Sequence, residues 1–319
     1  MPSYHNPVYP DYFADPFVWK HQGVYYAVGT GPVTGAKDRA FPLLRSENFV
    51  DWKFCHGALR VPEFAQGGEF WAPEVAFDGQ AFFLYYSVAT AGLNHQLRVA
   101  RSASPEGPYE DAVALTDLAL LSFAIDPHPF RDIDGKFYLF YARDFLDFGP
   151  GRNAGTALVV DELVGMTRLA GREQIVLRST QPWQLFKARR EMYGQVLDWH
   201  TLEGPCVRLH EGRYYCFYSG GCYENETYGV DYAVADQVTG PYRDDSASSG
   251  ARVLQSVPGR VIGPGHTSIV QGPDEKTDFL VYHAWDSGMQ ARRMCLDPLE
   301  WTNSGPRCAG PSWTPQVLP

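Results

Sequence analysis

No stretch of this 319-residue chain approaches the roughly 18 consecutive apolar residues that a membrane-spanning helix requires, so no helical span is expected within it. The first residues, MPSYHNPVYPDYF, lack the basic start and apolar run of an export signal, and a cytoplasmic location is the expectation. Basic residues are in deficit as well: 27 Lys and Arg stand against 37 Asp and Glu, a formal net charge of −10. That sign opposes the fields of nucleic acids and anionic membranes and leaves a neutral partner as the expectation. Cysteine is scarce, with six residues at positions 55, 206, 216, 222, 295 and 308 and neither a Cys-x-x-Cys pair nor any metal-ligand spacing. They read as reduced thiols; Cys206 and Cys216 fall in strand patterns, where a thiol packs as a small apolar group. What the chain has in quantity is apolar and aromatic residues, 45% and 14% of the total. At this length that supplies a large core and leaves rings for a ligand pocket.

The rings recur in a pattern. ADPFVWKHQGVYYAVGTG from Ala14, APEVAFDGQAFFLYYSVAT from Ala72, AIDPHPFRDIDGKFYLFYARD from Ala124 and EGPCVRLHEGRYYCFYSGG from Glu203 share one plan, and GPGHTSIVQGPDEKTDFLVYHAW from Gly263 is a looser fifth copy. Each has a proline-containing turn, a short apolar strand, a tight polar turn and a second strand rich in Tyr and Phe. The polar turns are His21-Gln22-Gly23, Asp78-Gly79, Asp134-Gly135, Glu211-Gly212 and the longer Gly272-Pro273-Asp274. Glycine after a polar residue provides the positive φ of a hairpin turn, and aromatic and β-branched residues suit the pleated flanks. Between the hairpins, LRVARSASPEGPYED (97–111) resembles DYAVADQVTGPYRDD (231–245), while PLLRSENFVDWKF (42–54) and ARRMCLDPLEW (291–301) hold similar places. A hairpin with one or two outer strands is one sheet, and radial repetition of such sheets makes a β-propeller. The expectation is an all-β, five-bladed β-propeller in a single domain, because the repeats run from Ala14 to Trp285 without a linker.

Residues 145–200 interrupt the repeat. After an outer pair of strands, TQPWQLFKARREMYGQVLDWH has good helix formers and apolar residues near helical spacing. A loop or short helix lying over one face of the disc is expected across 178–200, since long insertions in compact domains are often lids or binding loops.

Asp15, Asp126 and Glu203 each stand beside proline in the turn that opens a repeat, in blades one, three and four. Equivalent turns of a propeller converge at one end of its axis, so three carboxylates are expected in one pocket. Any one of them alone reads as the cap of its own turn; three at corresponding positions favour a shared site. Carboxylates in an aromatic-walled pocket suit glycoside hydrolysis, because burial and repulsion raise one pKa while another group stays ionised. In the inverting form a general acid protonates the leaving oxygen and a general base activates water on the opposite face, about 6.5–9.5 Å away.

With these motifs the chain resembles glycoside hydrolase family 43 over nearly its whole length. The resemblance implies that Asp15 of the Ala-Asp-Pro turn is the general base, that Asp126 of Ile-Asp-Pro modulates the pKa of the acid and orients it, and that Glu203 of Glu-Gly-Pro is the general acid. It also implies Trp71 of FWAPE as an apolar wall and Arg292, nine residues before Trp301, as a sugar-binding arginine, with Arg293 its immediate competitor. His266 of GPGH matches a family histidine near the axis, beside a calcium or other cation held mostly through water, since Ca²⁺ prefers oxygen ligands. Phe13 and Trp199, close to catalytic positions in sequence, are expected to line the pocket. No cofactor is required for the chemistry. The chain ends too soon after blade five for the β-sandwich that some members append, so residues 1–319 are expected to be one catalytic domain.

Fructan-hydrolysing five-bladed families open with Asn-Asp-Pro, Arg-Asp-Pro and Glu-Cys, unlike the triplets here, and related phosphorylases need a basic cluster that is missing beside Glu203. A non-catalytic glycan-binding propeller would have no use for three intact acids. The expected activity is inverting, exo-acting release of a terminal pentose from arabinose- and xylose-containing oligosaccharides. α-L-Arabinofuranose is the first choice, with β-D-xylosidase or exo-arabinanase activity as the alternatives.

Overall fold

The computed structural model describes residues 3–33, 38–90, 94–245 and 249–319. Strands dominate, as the repeats require. Blade one is Ala14–His21, Val24–Thr30, Arg39–Ser46 and Lys53–Arg60; blade two is Glu69–Phe77, Phe82–Ala89, Gln96–Ser102 and Tyr109–Ala114. Blade three is Ala124–Arg131, Phe137–Phe145 and Gly155–Val164 with Gln174–Leu177 at its edge, and blade four is Gln195–His210, Arg213–Gly220 and Gly229–Ala235. Ile262–Gln271, Asp278–Trp285, Arg292–Thr302 and Gly305–Cys308 make blade five. The first strand of every blade packs against the first strands of both neighbours, which closes a five-fold ring around a central axis.

The predicted turns close the hairpins. Gln22 and Gly23 (φ 48° and 82°) and Glu211 and Gly212 (φ 47° and 75°) carry the paired positive φ of a two-residue turn matched to strand twist. The two Gly-Pro-Tyr segments also fold alike: Tyr109 Oη donates to the Pro105 carbonyl and Tyr242 Oη to that of Val238, both at 3.0 Å. Apolar side chains on facing sheets fill the gaps between blades. Between blades four and five, for example, Phe217 and Tyr232 pack with Leu280 and Tyr282.

The ring is closed by the N-terminal segment, which runs along the third strand of blade five. Val8 and Phe13 N–H groups donate to the carbonyls of Met294 and Arg292 at 2.9 Å, and the Asn6 amide bonds both backbone groups of Leu296 at 2.9 Å. Ser3–Tyr4 then pairs with Gln316–Val317. This closure carries Tyr12 to the mouth of the axis.

The loop or short helix expected over 178–200 is instead a β-hairpin. One 3₁₀ turn, Pro182–Gln184, leads into Leu185–Met192, which pairs antiparallel with the start of Gln195–His210. Tyr193 and Gly194 (φ 52° and 71°) form its turn. The apolar spacing does favour a helix, but Gln195–His210 is one 16-residue strand that runs on into the inner strand of blade four. Its exposed edge is a ready template for the preceding segment, and backbone pairing overrides local propensity.

Candidate active site

Every inner strand opens with the same irregularity. Pairing passes from Ala14↔Thr30 to Phe17↔Val28, from Trp71↔Ser87 to Glu74↔Tyr85, from Ile125↔Ala142 to His128↔Phe140, from Glu203↔Ser219 to Cys206↔Phe217, and from Gly265↔His283 to Ser268↔Val281. Each step takes three residues on the inner strand against two on its partner, which is a β-bulge. Its second residue is left-handed: Asp15 at φ 50°, Ala72 at 47°, Asp126 at 59°, Gly204 at 56° and His266 at 51°. Asp tolerates this region better than most L-residues and Gly adopts it freely. Asp15 and Asp126 are therefore equivalent, as expected. Glu203 is not: it stands one position earlier, in register with Ala14, Trp71, Ile125 and Gly265, and enters the same pocket from that neighbouring site.

The bulges surround a cavity of about 210 Å³ lined by Tyr12, Asp15, Thr30, Trp71, Ile125, Asp126, Glu203, Tyr223, His266 and Arg292. That is below the roughly 300–1,000 Å³ typical of sites for drug-sized ligands, and it suits one sugar ring. The three acids, Trp71, Arg292 and His266 all line this one cavity. Phe186 of the unexpected hairpin stacks on Tyr223 with centroids 6.3 Å apart, so the 178–200 segment backs the pocket wall.

The three carboxyls sit in unlike fields. Burial pushes the Asp15 pKa up, but Arg292 Nη1 at 3.4 Å from Oδ1, with His266 and His283 alongside, outweighs it and holds Asp15 well below the ordinary carboxylate range. Glu203 goes the other way. Burial raises it to about 7; the hydrogen bond from Tyr228 Oη to Oε1 at 2.6 Å opposes that rise and the charge of Asp15 adds to it. Asp126 is buried and also raised, by burial first and then by Glu203 and Asp15, although the Gly204 N–H donates to its Oδ2 at 2.9 Å. At neutral pH the pocket holds one firmly ionised carboxylate and one acid poised near its midpoint.

Arg292 is fixed by Tyr12, whose Oη accepts from Nη2 at 2.8 Å and Nε at 3.2 Å, and it lies over the Tyr223 ring at 4.9 Å. Its competitor Arg293 points elsewhere: Nε donates to the Pro10 carbonyl at 2.7 Å and Nη1 pairs with Asp286. Strand alternation separates the two neighbours onto opposite faces.

The same alternation corrects two expectations. Phe13 is fully buried, edge-on to Tyr9 at 5.7 Å, so its neighbour Tyr12 lines the cavity and Phe13 does not. Trp199 is buried with Ala154 and Leu197 under Phe186 and Met192 and is a core residue of the hairpin's base. Conversely, Tyr228 and His283 were not foreseen. Tyr228 is buried, holds Glu203 and stacks on His283 with centroids 5.9 Å apart. A methyl group on Gly265 would overlap the Tyr228 ring. Gly265→Ala is therefore expected to lower the urea unfolding midpoint, with a stability loss of about 1–3 kcal/mol from overpacking.

His266 Nδ1 lies 3.4 Å from Asp15 Oδ1 and 3.9 Å from Asp126 Oδ2. Among the described residues no three His, Cys, Asp or Glu side chains are grouped to hold a metal ion. This donor set does not make a protein cage for a hard cation.

Residues 4–306 match the family model of glycosyl hydrolases family 43. The chain is similar to the crystal structure of a thermostable family-43 glycoside hydrolase, with a TM-score of 0.85 and 30% identity over 99% of both chains. It is 27% identical to a β-D-galactofuranosidase of Aspergillus niger, over 94% of this chain and 83% of the relative. An extracellular endo-α-(1→5)-L-arabinanase of Bacillus subtilis is 26% identical over 92% of this chain and 86% of its own length. The match of model, fold and length shows that the chain belongs to glycoside hydrolase family 43.

Proposed function

We propose that the chain is an inverting exo-glycosidase that removes a terminal pentose, α-L-arabinofuranose, from arabinose-containing oligosaccharides. The observation that carries this reading is the opposed state of two carboxyls across one small cavity: Asp15 held ionised by Arg292, and Glu203 raised to about 7. Asp15 takes a proton from water as the water attacks the anomeric carbon. Glu203 gives its proton to the departing glycosidic oxygen, and exchange with solvent then resets both groups. Asp126 and Glu203 repel each other when both are ionised, so the pair retains a proton to higher pH. Trp71 offers a ring face to the sugar, and Arg292 offers N–H donors to its hydroxyls.

The resemblance to a β-D-galactofuranosidase supports a second reading. β-D-Galactofuranose shares the furanose ring configuration of α-L-arabinofuranose and differs by a longer exocyclic chain, so a cavity shaped for one ring admits the other if that chain finds room. The deciding experiment is parallel hydrolysis of the 4-nitrophenyl α-L-arabinofuranoside, β-D-xyloside and β-D-galactofuranoside, with the first-formed anomer followed by NMR. Inversion on the arabinofuranoside supports the proposal; retention, or mid-chain cleavage of arabinan as the main activity, overturns it.

The pH profile has a defined sign. Activity needs Glu203 protonated, so kcat/KM is expected to fall as pH rises through about 7. The Tyr228 hydroxyl stabilises the Glu203 anion, and Tyr228→Phe is expected to move that alkaline limb to higher pH. A limb that stays in place, or moves down, would remove Glu203 as the group reporting there.

A further inference from the structure

His283 departs from a repeated device. Four of the left-handed bulges have their N–H held by a side chain on the second strand of the preceding blade. The N–H of Ala72 donates to Thr30 Oγ1 at 2.8 Å, that of Asp126 to Ser87 Oγ at 3.0 Å, that of His266 to Ser219 Oγ at 2.7 Å and that of Asp15 to His283 Nδ1 at 3.1 Å. The four acceptors share one register, each paired with the residue just before its own blade's left-handed position: Thr30 with Ala14, Ser87 with Trp71, Ser219 with Glu203 and His283 with Gly265. Three are hydroxyls. Only the bulge that carries Asp15 is held by an imidazole.

The ring does two things that a hydroxyl cannot do together. Its polar contacts both go to Asp15: Nδ1 lies 3.1 Å from the Asp15 N and 3.3 Å from Oδ1, while Nε2 has no partner among the described residues. A backbone N–H can only donate, so Nδ1 accepts, which requires the neutral ring. Burial lowers the His283 pKa to about 4 and keeps it neutral. Its face lies nearly parallel to the Tyr228 ring, tilted by 6° with centroids 5.9 Å apart. Tyr228 directly precedes Gly229–Ala235 of blade four and donates to Glu203 Oε1 at 2.6 Å. One fully buried side chain of blade five thus touches the backbone of the carboxylate in blade one and the tyrosine that holds the acid in blade four. We infer that His283 is a positioning residue that sets base and acid relative to each other, fixing Asp15 through its N–H and Glu203 through the Tyr228 ring. Asp15 needs such a hold: its φ of 50° is a conformation that costs an L-residue energy, and a misplacement of about 1 Å costs about 10²-fold in rate.

The inference rests on Asp15 being the general base and Glu203 the general acid, and variants at 283 separate it from that reading. The kcat of His283→Ala, His283→Ser and His283→Phe is measured on an oligosaccharide and on an activated aryl glycoside whose leaving group needs no proton. His283→Ala lacks both holds and should lose about 10²-fold on either substrate. His283→Ser restores an acceptor in the register of Ser87 and Ser219 but no ring. It should regain about tenfold or more of that loss on the aryl glycoside and much less on the oligosaccharide, which still needs a well-placed acid. His283→Phe restores the ring but no acceptor and should stay slow on both, because water must be deprotonated in either reaction. A ring that served packing alone would give the opposite order, with phenylalanine ahead of serine on both substrates. That order overturns the inference, as does a serine variant no faster than alanine on the aryl glycoside, or one that recovers equally on the two substrates. If the serine variant fails to fold, His283→Thr, the Thr30 arrangement, takes its place; if neither folds, a phenylalanine variant within tenfold of the parent on the aryl glycoside overturns it. Asp15→Asn turning over within tenfold of the parent, or Glu203→Ala with no leaving-group dependence, would instead remove the base or acid assignment itself.

Discussion

Asp15→Ala is expected to lose about 10³-fold or more in kcat on every glycoside, activated or not, because water must be deprotonated whatever leaves. The argument starts from the field at Asp15. A carboxyl only 8% exposed would ordinarily resist ionisation, yet Arg292 within 3.4 Å keeps it charged, so the group is ionised, as a base must be, at neutral pH. Removing it also strands the guanidinium. Truncating one partner of a buried ion pair costs about 3–5 kcal/mol of stability, so the alanine variant needs a companion. Asp15→Asn is that companion: it keeps the shape, Asn accepts the φ of 50° as readily as Asp, and the amide cannot take a proton from water. Both variants should be inactive, with Asn the more stable in a thermal melt. Turnover by Asp15→Asn within tenfold of the parent enzyme would rule out Asp15 as the base.

Glu203→Ala should behave differently. On oligosaccharides, whose leaving alcohol must be protonated, a loss of about 10²–10⁴-fold is expected; on aryl glycosides with strongly acidic phenols the loss should be about tenfold or less. The physical cause is the pKa of about 7, which burial and the charge of Asp15 sustain against the Tyr228 hydrogen bond and the Arg292 charge. A group so placed has a proton to give at neutral pH and accepts it back without a deep energetic trap. Glu203→Gln retains an oxygen for Tyr228 and should match Glu203→Ala in the leaving-group pattern while preserving stability. Equal losses for the Asp15 and Glu203 variants across a series of leaving groups would contradict the division of labour.

Much of this is legible in the sequence alone. Five turn-and-strand repeats are a local signal, because period-two alternation and a Gly at each turn constrain the chain within about ten residues. The Asp-Pro, Asp-Pro and Glu-Gly-Pro turns told which repeats carry acids, and ring closure then required them to meet. The 178–200 segment was misread because its apolar spacing suits a helix, while its actual partner is a strand whose position is set by blade four. Neither Phe13 nor Trp199 could be assigned a direction, since a bulge of one residue reverses which neighbours face the pocket.

The sequence by itself determined the number of blades, the turn chemistry and the three acids of the site, all of which follow from repeats and residue types close along the chain. Only the tertiary structure decided which acid is ionised and which keeps its proton. Those fields come from Arg292, reaching Asp15 across 277 positions, and from the burial of Glu203, which the Tyr228 hydrogen bond from 25 positions away only partly offsets. It alone also showed that the Gly204 N–H turns to Asp126. Charge and hydrogen-bond energies depend on distance in space and on burial, and the closing of the ring creates both.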